Sequence, residues 1–111
     1  MATEATRAGE FLVSEANGSR SREQVTVTGG NYPAGQVLGK ITASDKYTAY
    51  DAGASDGSET AVAILWSAAD AATSDLEKAV IARDAEVSEA LLTGIDADGK
   101  ADLAAAGIIC R

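Results

Sequence analysis

Alanine constrains this chain most: it supplies 24 of the 51 apolar residues, while Leu, Ile, Val and Phe together supply only 21. A methyl group removes little area from water, and burial stabilises at roughly 25 cal/mol per Å². A chain of 111 residues made this way has room for one domain with a thin core. Such a domain gains stability by self-association or by docking onto something larger, so a homo-oligomer is expected.

Charge narrows the partners. Residues 1–55 carry 6 acids and 5 bases, residues 56–111 carry 11 acids and 4 bases, and the net charge is −8. Without a basic patch to neutralise phosphates or anionic lipid, no nucleic acid and no membrane surface is expected as a partner; protein is. The longest strongly apolar stretch, residues 61–66, is too short to span a bilayer, and MATEATRAGE at the start lacks a signal peptide's apolar segment. Cys110 is the single cysteine and has no intrachain disulfide partner. Synthesis in a reducing cytoplasm without an export address is the expectation. Histidine is absent, which removes Ser-His-Asp and Cys-His nucleophile systems, His-ligated zinc and the usual near-neutral general base.

Residues 1–22 read as an arm, in which small and charged residues surround the apolar island Phe11-Leu12-Val13, and Asn17-Gly18-Ser19 gives a turn signal. The island suits either an edge strand packed on its own domain or a peptide that adds a strand to a partner's sheet. From Gln24 to Thr28 the chain alternates, placing Val25 and Val27 on one face of a core strand. Gly29-Gly30 ends that strand and Pro33-Ala34-Gly35 turns the chain. Residues 37–41 resume a strand in which Gly39 marks a bulge or a close backbone approach. A further short strand fits residues 47–50, turns fill 51–58, and the continuous apolar run over 60–66 is the best central strand. Residues 79–92 fit a helical stripe through Val80, Val87 and Leu91 as well as short strands, and strands are preferred. Asp98 is placed to cap an Ala-rich helix over 101–106 that stops at Gly107, before a last strand at Ile108-Ile109-Cys110.

No motif carries chemistry. Asp96-Ala97-Asp98-Gly99 opens like a calcium loop, but Gly falls at the fourth position and the closing Glu is missing; residues 51–57 fail similarly at Asp56. Gly29-Gly30 with Gly35 lacks both the dinucleotide fingerprint and the phosphate-loop ending. On a strand, Asp84 and Glu86 would share a face, which suits carboxylate catalysis, although a solvated acidic face is the simpler reading. Asn17-Gly18-Ser19 matches a glycosylation acceptor but reads as a turn without a secretory signal. Trp66 is either an exposed anchor or the end of a core strand, and Cys110 reads as a small buried hydrophobe. No catalytic, cofactor-binding or metal-ligating residue is assigned, and neither a cofactor nor a small-molecule substrate is expected.

The order and spacing of these parts resemble a known family. Tyr32-Pro33-Ala34-Gly35-Gln36-Val37-Leu38-Gly39, then Tyr50-Asp51, Ser55-Asp56-Gly57 and Thr60-Ala61-Val62-Ala63-Ile64-Leu65 look like the bacteriophage lambda-type head decoration proteins. Residues 79–87 and the Ala-rich helix before Gly107-Ile108-Ile109 continue the likeness, which runs from about Glu10 to Arg111. The arm, at Glu10-Phe11-Leu12-Val13-Ser14-Glu15, looks more like prophage relatives than like lambda's own protein.

The resemblance implies a mainly β fold with short helices, of β-clip type and trimeric. It further implies a flexible arm over 1–22 and one β-rich decoration domain over 23–111. The implied function is a cement protein on the outside of the virion, bound at three-fold positions of the expanded head through the major capsid protein and reinforcing it against packaged-DNA pressure. Glu10, Phe11, Leu12, Val13 and Ser14 are the candidate capsid-binding residues, expected to add a strand to the capsid protein. The rivals are another phage accessory module, of tail or fibre, and a carboxylate enzyme, since fold alone does not decide function.

Overall fold

The computed structural model describes residue 9, residues 12–15 and residues 22–111. Glu10, Phe11, the Asn17-Gly18-Ser19 signal and most of the expected arm lie outside the described residues; of Ser14 and Glu15 only the backbone is described. The strands are β1 (Leu12–Glu15), β2 (Arg22–Val27), β3 (Asn31–Tyr32), β4 (Val37–Lys40), β5 (Tyr47–Ala49), β6 (Ala61–Leu65), β7 (Ala69–Asp70), β8 (Leu76–Ile81), β9 (Ala85–Val87) and β10 (Ile108–Cys110). A 3-10 turn (Glu89–Leu91) and one helix, α1 (Ala97–Ala105), complete the described elements. The fold is mainly β, as expected.

Five strands close a barrel in the order β2-β5-β4-β6-β8, and β1-β9-β10 form a separate three-stranded sheet. The wall β4-β6-β8 is buried on both sides, which explains the continuous apolar run over β6. Leu38, Ala63, Leu65 and Val80 point into the barrel with Val25 and Val27. Their neighbours Val37, Ile64 and Ile81 point the other way, onto Val87, Leu103 and Ile108. Two small cores thus share one wall, and the small bore of a five-stranded barrel is where Ala63 fits. The fully buried Ile64 pairs with Val37 on one side and Ile81 on the other.

Gly39 fulfils both expected roles. The register slips between Leu38 and Gly39, and a Cβ at Gly39 would stand 2.5 Å from the Ser58 Cα and carbonyl oxygen. Since the obstacle is backbone, Gly39→Ala is expected to destabilise by about 1–3 kcal/mol, read as a lowered urea midpoint with an unchanged slope.

The barrel seam is its narrowest pairing, a single parallel bridge between Val27 and Tyr47. Side chains reinforce it. The Thr28 hydroxyl donates to Asp75 at 2.6 Å, Lys46 pairs with Asp75 at 2.6 Å, and the Tyr32 hydroxyl donates to the Thr28 carbonyl at 2.9 Å. Lys46 and Thr28 hold the Asp75 carboxyl below its usual range. This contribution is present above the ordinary carboxylate pKa and fades as pH falls through the lowered one.

Two expectations are corrected, and a third is met. The helix begins at Ala97, and its cap is Asp96, not Asp98: the Asp96 carboxylate accepts the Gly99 amide at 2.6 Å, leaving Asp98 in the first turn. Gly107 does end it, at φ +88. The strands preferred over residues 79–92 are there as β8, which holds Val80-Ile81, and β9, which holds Glu86-Val87; between them Asp84 turns the chain at φ +52, and Glu89–Leu91 coil into the 3-10 turn. Asp84 therefore does not share a strand face with Glu86, which pairs with Arg111.

Candidate assembly surface

The exposed large hydrophobics among the described residues lie on the β1-β9-β10 sheet. β1 runs antiparallel to β9, with Leu12 opposite Val87 and Ser14 opposite Glu86; β10 runs parallel to β9, with Ile109 opposite Glu86. Alternation then sorts the faces. Ala85, Val87 and Ile108 turn inward onto the core, and Leu12 and Cys110 pack against its margin. Glu86 and Ile109 turn outward, and Val13 sits at the register slip between Leu12 and Ser14. Val13 and Ile109, 56% and 42% exposed, are the exposed large hydrophobics among the described residues. Both lie on this one sheet, on either side of the Glu86–Arg111 ion pair.

Leu12, Val13 and Ser14 are therefore in a strand docked on their own chain. Trp66 is half-buried against the same core, an intermediate between the two readings of it. The Arg22 guanidinium carbon lies 3.9 Å from its ring centroid, and the Gly9 amide donates to its carbonyl at 2.9 Å. Ile109 sits in the apolar triplet Ile108-Ile109-Cys110, which marks a strand but has no polar alternation to show which residue faces outward. Gly9 and Arg22 carry no local signal, since their contacts with Trp66 depend on the fold.

Four other acids accept hydrogen bonds within the fold. Asp51 accepts the Gly53 amide at 2.9 Å, and Asp56 accepts the Ser58 amide at 3.0 Å and its hydroxyl at 2.5 Å, a pair of bonds that holds the Asp56 carboxyl low. Asp96 accepts the Tyr50 hydroxyl at 2.8 Å in addition to capping the helix, and Asp102 accepts the Ala61 amide at 3.1 Å. Among the described residues no cavity is found and no group of three potential metal ligands converges. Burial raises the Cys110 thiol pKa, so it has little thiolate character.

Burial and the Asp96 contact push the Tyr50 hydroxyl up to about 12. The neutral phenol is favoured by the fold, so its contribution is complete below the ordinary tyrosine value and is lost as pH rises toward the raised one. Spectrophotometric alkaline titration is expected to show a late phenolate step near pH 12 that disappears in Tyr50→Phe.

None of the curated proteins matches the chain. The profile of the bacteriophage lambda head decoration protein D family matches residues 1–108. A match over nearly the whole length joins the barrel, the helix and the three-stranded sheet in one assignment: the chain belongs to the bacteriophage lambda head decoration protein D family.

Proposed function

We propose that the protein is a β-clip-type cement subunit that binds as a homotrimer on the outside of the expanded phage head, at three-fold positions, and stabilises the head against packaged-DNA pressure. The observation that carries this reading is family membership over residues 1–108. The acidic balance, with net charge −8, agrees with a partner that is protein rather than DNA. The exposed Val13 and Ile109 on one sheet supply apolar area of the kind that assembly covers.

In this reading residues 1–22 are the arm and residues 23–111 the body. Glu10, Phe11, Leu12, Val13 and Ser14 add a strand to the major capsid protein, with backbone hydrogen bonds giving affinity and the apolar side chains giving register. The subunits are made in the host cytoplasm and reside on the virion exterior.

The mechanism is linkage. A ligand that binds the expanded lattice alone stabilises it by its differential affinity, and one without preference stabilises nothing. Three arms on one trimer raise avidity, since the first to dock holds the others at high effective concentration.

Co-sedimentation with cognate heads tests this. Binding to expanded heads and not to unexpanded ones is the expected result; equal binding to both would remove the stabilising mechanism.

A further inference from the structure

Leu12–Glu15 are extended but already paired with β9, and the chain is not extended from Gly9 to Leu12. The Leu12 amide donates to the Gly9 carbonyl at 3.0 Å. In an extended strand, residues three apart are separated by about 10 Å, so this bond and an extended arm exclude one another. Gly9 is also seated. Gly9 has φ +70, its amide holds the Trp66 carbonyl, and a Cβ there would stand 2.5 Å from the indole Cη2 and Cζ2 atoms. Arg22 stacks on the same indole. Downstream, Leu12 packs against the core that contains Val87, so its side chain is already committed to its own domain.

We propose that Gly9, Trp66 and Arg22 form a latch holding β1 in a self-docked state, which must open before the arm can extend onto a partner strand. The inference rests on the arm-docking reading above and adds its regulation. β1 is suited to leave: it has four residues, one neighbouring strand and a register slip at its second residue. Docking then draws on the open fraction alone, and apparent affinity falls by that fraction. The closed state occupies one edge of the apolar arm strand, which limits edge-to-edge association before a head is met.

Locking and unlatching give opposite results. Ser14 and Glu86 face one another across antiparallel strands, where Cα separations of about 4.5–5.5 Å suit a disulfide. In a Cys110→Ser background, the oxidised Ser14→Cys, Glu86→Cys double variant is expected to lose binding to expanded heads and to recover it on reduction. Gly9→Val, whose side chain collides with the indole, is expected to bind about tenfold more tightly or better, since a minor open state is about 10% populated or less. Native-state hydrogen exchange gives a readout that needs no head: β1 amides are expected to exchange through an opening that leaves β6 and β8 protected, and the lock should suppress it. Undiminished binding by the oxidised lock would overturn the latch while leaving decoration intact, as would β1 amides that exchange only with the barrel. Wild-type protein that ignores heads altogether would overturn the decoration reading, and the latch with it.

Discussion

Deleting residues 1–15 is expected to abolish binding to expanded heads and to leave the barrel folded. None of the strands β2, β5, β4, β6 and β8 that close the barrel lies in the deleted segment. Among the described residues, what goes is the pairing of β1 with β9, the hydrogen bond from the Gly9 amide to the Trp66 carbonyl and the packing of Leu12. Removing one such side chain from a partly buried site costs at most about 1.5–3 kcal/mol, less than the roughly 5–15 kcal/mol that holds a domain of this size. Binding has no such reserve. Linked sites gain about 10²–10⁴ in avidity, and the deletion removes every arm of the trimer at once. Sedimentation with heads, alongside circular dichroism and sedimentation equilibrium of the free protein, separates the effects. A truncated chain that no longer folds or self-associates would make the arm structural.

The largest loss of stability is expected from Ile64→Ala. Ile64 is fully buried in the shared wall, between Val37 and Ile81, and faces the core completed by Val87, Leu103 and Ile108. A cavity there cannot be filled by barrel residues, which lie on the other side of the wall. Truncations of this kind cost about 2–5 kcal/mol, equivalent to a fall in melting temperature of roughly 10–25 °C for a domain near this size. Because the cavity opens toward β9, β10 and α1, hydrogen-exchange protection should fall first in those elements. A melting temperature within a few degrees of wild type would show that the wall is not the shared support of both cores.

The parts legible in the sequence were those set by local chemistry. Val25 and Val27 alternate on β2, the run through Ala61 and Leu65 has the continuous apolarity of a strand buried on both faces, and Gly39 and Gly107 mark positions where a side chain has no room or the wrong φ. The helix cap was misplaced by two residues because Asp96 and Asp98 are equivalent by type. The Tyr50 hydroxyl, distant in sequence, joins Gly99 on Asp96. Residues 79–92 fit two periodicities, and the left-handed turn at Asp84 that divides β8 from β9 has no glycine to announce it.

For the candidate surface, the apolar island at Leu12 and Val13 was visible as a strand, yet the choice between its own sheet and a partner's was not. A strand of four residues specifies little on its own. Its place on β9 follows from an edge formed by residues 70 to 75 positions away. The contact between Gly9 and Trp66 likewise exists only once the chain has brought β6 beside the arm.

Decoration of the head is tested by a cryo-electron microscopy reconstruction of expanded cognate heads incubated with the purified protein. A trimeric cement protein adds density on the outer surface at the three-fold and quasi-three-fold positions, in units the size of three chains, and none on unexpanded heads. Bare three-fold positions, with density instead confined to a single vertex or to the tail, would contradict this reading and make the protein an accessory module of another part of the particle.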